Sequence, residues 1–118
     1  MLSGFSHVMM YVNDVKRAAD WYTSILGFKV KMLAGPHYGI LQHDGMKFRL
    51  DLHPARKPTQ VGGGPQVYFV TDDIDADVAA LRGKGVSVDN PRSESGSPRF
   101  AGFRDSEGNE LGLTEGPK

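Results

Sequence analysis

Two segments of the chain alternate polar and apolar side chains in a way that could place chemistry on a surface. In the first segment, residues 46–53, the polar set is Arg49, Asp51 and His53. In the second, residues 110–114, the carboxylate of Glu110 lies two positions before Gly112, which has no side chain. Successive side chains of a β-strand point to opposite faces of a sheet. Each segment therefore predicts a strand with one face on a core and one face that could carry a site.

The composition excludes several classes of function. The chain has 118 residues, a length typical of one domain, with 14 basic and 14 acidic side chains and no cysteine. This balanced charge gives no electrostatic basis for binding nucleic acid or an anionic membrane. The sequence shows no cysteine ligand for a metal, no signal peptide and no membrane span of roughly 18 apolar residues. We therefore expect a cytoplasmic protein that binds neither nucleic acid nor membrane.

One structural pattern occurs twice along the chain. The segment HVMMYV at 7–12 matches QVYFVT at 66–71, and each is followed by two polar residues that favour the start of a helix. Apolar residues then recur at helical spacing, and Gly27 and Gly85 supply the helix ends. The offset of 59 residues predicts two tandem β-α-β-β-β modules. Module one is expected at 1–53, a linker rich in proline and glycine at 54–65, and module two at 66–118.

The same patterns give the positions of the strands. Strands are expected in module one at 7–12, 28–33, 38–43 and 46–53. Strands are expected in module two at 66–71, 86–88, 99–103 and 110–114. The helix of module one is expected to begin after Asp14, which can accept hydrogen bonds from the first free amides.

These segments carry a resemblance to a known family. The first half opens with HVMMYVNDVKRAADWYTSILGFKV, and the second half closes with the turn FRDSEGNELGL. Together they resemble the glyoxalase / bleomycin resistance protein / extradiol dioxygenase superfamily, also called vicinal oxygen chelate. The resemblance implies an α+β fold in which the two modules form a curved mixed sheet, with a concave cleft and with helices on the convex side. It also implies a homodimer, and it leaves open whether modules pair within one chain or across the dimer.

The resemblance implies that a ligand lies in this cleft, and alternation along the strands gives the positions that face it. The predicted ligand-binding residues are His7, Met9, Tyr11, Arg49, Asp51, Gln66, Tyr68 and Glu110. Met9, Tyr11, Tyr38 and Tyr68 together would form a soft aromatic lining, which suits a flat organic molecule.

The resemblance leaves two main functions open, and a metal site separates them. Metal enzymes of the family take one ligand from each of four strands, and the matching positions are His7, Asp51, Gln66 and Gly112. Because Gly112 offers no ligand atom, we expect a metal-free, small-molecule-binding protein of the bleomycin-resistance type. The alternative is a glyoxalase I-like lyase or isomerase, in which Glu110 completes a nickel, zinc, manganese or iron site and moves a proton. A third interpretation is an accessory module that only assembles with another chain.

Simpler structural roles are open for several of the polar residues. Arg49 and Asp51 lie two positions apart on one strand face and could pair with each other instead of with a ligand. His53 is expected at a solvated rim, and His43 in a loop without a role. The polar residues of the turn at 105–109 are expected to stabilise that turn.

Overall fold

A computed structural model describes residues 1, 3 and 5–116 of the chain. Residues 2, 4, 117 and 118 of the two predicted modules therefore lie outside the described residues. The chain divides into two compact units, Met1–Gly64 and Pro65–Lys118. Each unit has its own helix and its own mixed β-sheet. The predicted α+β class is confirmed.

The first unit is a β-α-β-β-β module. Its elements are β1 (Val8–Val12), α1 (Val15–Leu26), β2 (Lys29–Leu33), β3 (Gly39–His43) and β4 (Met46–Pro54). The sheet order is β1-β4-β3-β2, in which β1 runs parallel to β4 and the other neighbours are antiparallel. This order places β4 between two neighbours, so the alternating face predicted for residues 46–53 lies at the centre of the sheet.

Helix α1 packs on one face of this sheet because its apolar residues fall on one side. Asp14 caps its first turn by accepting a hydrogen bond from the Arg17 amide at 3.0 Å. Gly27 ends the helix in the left-handed region, at a φ of 76°, where glycine carries no steric penalty. The core between helix and sheet includes Val15, Ala18, Ala19, Tyr22, Met10, Val12, Leu41, Leu50 and Leu52.

The second unit has fewer strands than predicted. Its elements are β5 (Val67–Thr71), α2 (Ile74–Gly83), β6 (Phe100–Arg104) and β7 (Glu110–Glu115). The sheet order is β5-β7-β6, with β5 parallel to β7 and β6 antiparallel to β7. Asp73 caps α2 by accepting a hydrogen bond from the Ala76 amide. The core formed by the apolar faces includes Phe69, Ile74, Val78, Leu81, Ala101, Phe103, Leu111 and Leu113.

The prediction of a strand at 86–88 is wrong. In this segment only Val88 forms a β-bridge, with Phe103. The reason is that the Val86 amide donates to the Leu81 carbonyl at the end of α2, at 3.0 Å, and is therefore lost to a β-ladder. The chain turns at Gly85, with a φ of 88°, before it reaches the sheet.

Part of the expected linker at 54–65 forms secondary structure. Pro54 is the last residue of β4, and Pro58–Gln60 forms a short 3₁₀ helix. Within the part of the chain that the structure describes, neither α1 nor α2 has the length and apolarity needed to cross a lipid bilayer.

The N-cap of α1 gives a test of this fold. We expect Asp14→Ala to lower the free energy of unfolding by about 1 kcal/mol, because the first-turn amide of Arg17 loses its acceptor. Urea denaturation measures the change. The matched control is Asp20→Ala in the same helix, where an exposed pair with Lys16 contributes little. Equal effects of the two substitutions would contradict the assigned cap.

Candidate functional site

The side chain of Asp51 is fully buried in the first unit. Asp51 lies on the central strand β4, opposite Met9 on β1 and Ile40 on β3. The Arg49 guanidinium donates from Nε to Oδ1 and from Nη2 to Oδ2, both at 2.8 Å. The Tyr38 hydroxyl also donates to Oδ2. The structural pairing of Arg49 with Asp51 is therefore the arrangement that the structure shows.

These contacts fix the protonation state of Asp51. Burial alone would raise the pKa of this carboxyl, but the hydrogen bonds from Arg49 and Tyr38 outweigh burial and hold its pKa below the ordinary value. Burial and the hydrogen bond to the Asp51 carboxylate raise the pKa of Tyr38 above its ordinary value. Asp51 is therefore ionised and committed to two donors near neutral pH.

His7 and Met9 lie beside this ion pair. His7 Nε2 is 3.7 Å from Asp51 Oδ2, and its Nδ1 forms a 2.8 Å hydrogen bond with the hydroxyl of Ser6. Met9 is opposite Asp51 in the strand register, with 38% of its surface exposed. The structure thus brings His7, Met9, Arg49 and Asp51 together in the first unit.

Aromatic rings in the same unit pack against one another. Tyr11 meets His53 edge-on at a centroid distance of 5.7 Å, and Tyr38 meets the same ring edge-on at 6.1 Å. His53 is half-buried and its Nδ1 lies 2.7 Å from the Pro54 carbonyl oxygen. The prediction that His53 sits on a solvated rim is corrected, because two tyrosines pack on it.

His43 has a structural role that the sequence did not reveal. Its Nδ1 accepts a hydrogen bond from the Gly45 amide at 3.0 Å, so Nε2 carries the proton and donates to the Leu26 carbonyl at 3.1 Å. This side chain therefore joins the β3–β4 turn to the last residue of α1. The one signal in the sequence was its position directly before the predicted turn at Asp44.

In the second unit, the ring of Tyr68 covers Gly112. The two residues are partners in the parallel register of β5 and β7. A Cβ atom added at Gly112 would lie within 2.9 Å of three ring carbons of Tyr68, which is closer than real Cβ atoms approach a neighbour. The missing side chain of Gly112 thus gives the aromatic ring a place against the backbone of β7. Tyr68 is 43% exposed.

The predicted ligands Gln66 and Glu110 are bonded to each other and to neighbours. The Gln66 amide nitrogen donates to Glu110 Oε2, and Gln66 Oε1 accepts from the Tyr68 hydroxyl at 3.4 Å. Arg104 donates from Nη2 to Glu110 Oε1 at 3.1 Å. Sequence reasoning missed Arg104, because the predicted strand ended at Phe103, whereas in the structure β6 extends to Arg104 and pairs it with Glu110 in the β6–β7 register.

The donor atoms in each unit do not fit a metal ion. Asp51 is neutralised by Arg49, and Glu110 by Arg104, so a cation would have to replace a guanidinium at each carboxylate. The Tyr68 ring fills the place at Gly112 where a fourth ligand would extend. Among residues 1, 3 and 5–116, no three His, Asp or Glu side chains cluster as a metal site would require.

Comparison with known proteins identifies the family. The model of the Glyoxalase/Bleomycin resistance protein/Dioxygenase superfamily matches residues 4–113. The chain belongs to this superfamily. This confirms the family that the sequence resembles, and the glyoxalase fold follows from it. No curated protein matches the chain.

Several solved structures share the fold over nearly the full chain. TnmS3, an antibiotic binding protein from Streptomyces sp. CB03234, is 32% identical with a TM-score of 0.79, covering 98% of this chain and 100% of its own. A glyoxalase/bleomycin resistance protein from the same organism is 31% identical with a TM-score of 0.69, covering 92% and 99%. The bleomycin-binding protein of Streptomyces verticillus, complexed with copper(II)-bleomycin, is 15% identical with a TM-score of 0.78, covering 99% and 100%. This last likeness shows the fold alone.

The buried ion pair predicts how stability depends on pH. Because the pKa of Asp51 is depressed in the folded state, its contribution is present above about pH 4 and is lost as the pH falls further. We expect Asp51→Asn to destabilise the protein at pH 7 by about 2 kcal/mol and to flatten this acid-side loss. The figure is moderate because the unpaired Arg49 side chain is 32% exposed and regains water. Urea denaturation between pH 3 and 7 tests this, with the exposed Asp20→Asn in α1 as control.

The contact between Tyr68 and Gly112 predicts a coupled pair of substitutions. We expect Gly112→Ala to lower the free energy of unfolding by about 1 kcal/mol, because the new methyl group forces the exposed Tyr68 ring to move off the strand. In a Tyr68→Ala background the same substitution should be almost neutral, which a double-mutant cycle measures. Gly83→Ala, where a Cβ meets nothing within 4 Å, is the matched control. Additive effects at positions 68 and 112 would show that the ring does not cover the glycine.

Proposed function

We propose that this protein binds a small organic molecule of the antibiotic class, without a metal ion. The observation that carries the proposal is the Tyr68 ring, which covers Gly112 where metal enzymes of the superfamily keep a carboxylate. Of the predicted set, Gln66 and the substitute ligand Glu110 lie in the second unit, and both are hydrogen-bonded within that unit. The relative TnmS3, at 32% identity, is an antibiotic binding protein, which supports the same class of ligand here.

The chemistry of the carboxylates supports binding over catalysis. A glyoxalase I-like isomerase needs a carboxylate that accepts and returns a proton between adjacent carbons. Asp51 is ionised, buried and held by two donors. Glu110 accepts from Arg104 and Gln66, so its two oxygens already have donors. In this proposal the protein sequesters its ligand, and it does so in the cytoplasm as a homodimer.

Thermal denaturation separates the proposal from the enzymatic alternative. We expect one or more natural-product antibiotics, from a panel that includes bleomycin, to raise the melting temperature with concentration. At 100 times its Kd, a ligand of the native state adds about 2.7 kcal/mol of stability, or roughly 10 °C for a domain of this size. Nickel, zinc, manganese and ferrous ions should leave the melting temperature of the chelator-treated protein unchanged.

The opposite pattern would contradict the proposal. Saturable stabilisation by one equivalent of a divalent metal, together with metal-dependent isomerase activity of the glyoxalase I type, would establish the alternative function. The control for adventitious metal binding is Asp44→Asn with Glu94→Gln, because these exposed carboxylates lie outside the predicted ligand set. A metal effect that disappears in this double variant belongs to the surface.

A further inference from the structure

We infer that Tyr68 is a platform on which this protein stacks a flat, uncharged ring, and that Gln66, Glu110 and Arg104 are positioning residues for that platform. The inference rests on the proposed function and names the class of ligand. Gln66 and Glu110, which the sequence predicted as metal ligands, have a different role in this inference. Their side chains form a chain of hydrogen bonds that ends on the Tyr68 hydroxyl.

Tyr68 is the tyrosine whose ring is available for stacking. The chain has four tyrosines. Tyr22 is fully buried in the core, and Tyr11 and Tyr38, which pack against His53, are only half-exposed. Tyr68 keeps 43% of its surface exposed, although its chain neighbour Phe69 is buried. A large aromatic side chain at this exposure, on the strand face away from the core, is well placed to contact a ligand.

The backbone of β7 supports one side of the ring. Gly112 lies directly beside Tyr68 in the register, and a side chain there would overlap the ring. On the other side of β7, Gly112 is paired with Gly102 of β6, so two neighbouring strands lack a side chain on this face. The carboxylate of Asp89 takes the space above Gly102, with Oδ2 3.1 Å from where a Cβ would be. The ring therefore lies low on the sheet and presents its exposed part outward.

A chain of hydrogen bonds reaches the hydroxyl end of the ring, and its last bond, from Tyr68 to Gln66, is long at 3.4 Å. Tyr68 donates to Gln66, Gln66 donates to Glu110, and Arg104 donates to Glu110. Arg104 is fixed in turn by a second bond, from Nη1 to the Gly108 carbonyl at 3.1 Å. Glu110 and Arg104 act on the ring through Gln66, and together the three residues define the orientation of the ring about the strand. A pre-oriented ring loses less entropy when a ligand stacks on it.

The exposed part of Tyr68 lines a hollow of about 530 Å³. This volume is within the range that small-molecule sites occupy. The other walls come from Phe100, Thr114 and the turn that precedes Phe100, and the lining residues of this turn are Glu94, Ser95, Ser97 and Pro98. The hollow is shallow and open to solvent, because Phe100 meets the Tyr68 ring edge-on at 6.4 Å and the two rings form one continuous aromatic wall with hydroxyl groups at its rim.

The charges around this hollow balance one another, which favours an uncharged ligand. Glu94 pairs with Arg92 at 3.5 Å, and the Arg92 guanidinium lies 4.9 Å over the ring of Phe100. A cation therefore already occupies one face of Phe100, whereas no described cation is placed over Tyr68. A ligand with a flat conjugated ring and a hydroxyl or carbonyl at its edge matches this combination of aromatic wall and polar rim.

A pair of probes tests the requirement for flatness. 2-Naphthol and decahydro-2-naphthol share a carbon skeleton and a hydroxyl group, but only the first is flat and aromatic. We expect 2-naphthol to bind at least about tenfold more tightly than its saturated analogue, measured by NMR titration of the intact protein. The shifted resonances should centre on Tyr68, Phe100 and Thr114.

Substitutions of Tyr68 and of Gln66, which accepts a hydrogen bond from the Tyr68 hydroxyl, test the roles of these two residues. Tyr68→Leu should weaken 2-naphthol binding about tenfold and leave the saturated probe unchanged. The matched control is Val70→Ala, a more exposed apolar residue on the same face of β5. Gln66→Ala should weaken binding a few-fold in the native background but have no effect in a Tyr68→Phe background, which keeps the ring and lacks the tethered hydroxyl. If Gln66 had only a structural role, Gln66→Ala would cause the same loss of 2-naphthol affinity in the native and the Tyr68→Phe backgrounds.

Equal affinity for the two probes, absence of any binding up to the solubility of 2-naphthol, or shifts centred away from Tyr68 would overturn the inference. These outcomes differ from failure of the proposed function. If an antibiotic of the panel binds without metal while the flat probe shows no preference, the function stands and the platform does not. If a divalent metal binds and supports turnover, the proposed function itself fails.

Discussion

The contact between the Tyr68 ring and the bare backbone of Gly112 is the constraint around which the second unit is organised. Parallel pairing of β5 and β7 fixes the two residues side by side, and the ring then takes the volume that a side chain at 112 would need. An acid at that position would have to displace an aromatic side chain that is tied at its far end. A carboxylate at position 112 and the Tyr68 ring would need the same volume, so the structure holds one and lacks the other.

The two units place different pairs at equivalent positions of the repeat. In the first unit Met9 lies opposite Asp51, and in the second Tyr68 lies opposite Gly112. In the first unit the Asp51 carboxylate is buried and accepts hydrogen bonds from Arg49 and Tyr38, which makes a rigid polar centre. In the second unit the equivalent position is a glycine, and an aromatic ring packs on its backbone. A buried charge needs partners on all sides, while an aromatic ring over glycine leaves surface for a ligand.

Much of the fold was predictable because it depends on local patterns. Capping by Asp14 and Asp73, the left-handed stop at Gly27 and the alternation in β4 and β7 all follow from residue types at fixed spacing. The segment 86–88 was mispredicted because its first amide is used by the end of α2, a contact that β-propensity does not encode. Alternation gave the face on which the candidate residues lie and offered the pairing of Arg49 with Asp51, but it did not give the partners on other strands. Which groups Tyr38 and Arg104 bond, and where the Tyr68 ring lies, depends on side-chain packing across strands.

The position of the Tyr68 ring can be measured directly by NMR in the ligand-free protein. If the ring lies over Gly112, the α-proton of that glycine that points in the Cβ direction falls in the shielding region of the ring. This proton should then be shifted upfield relative to the other α-proton, show nuclear Overhauser contacts to the Tyr68 ring protons, and return toward an ordinary glycine value in Tyr68→Leu. An unshifted α-proton without such contacts would mean that the ring points away into solvent and leaves the space beside Gly112 open.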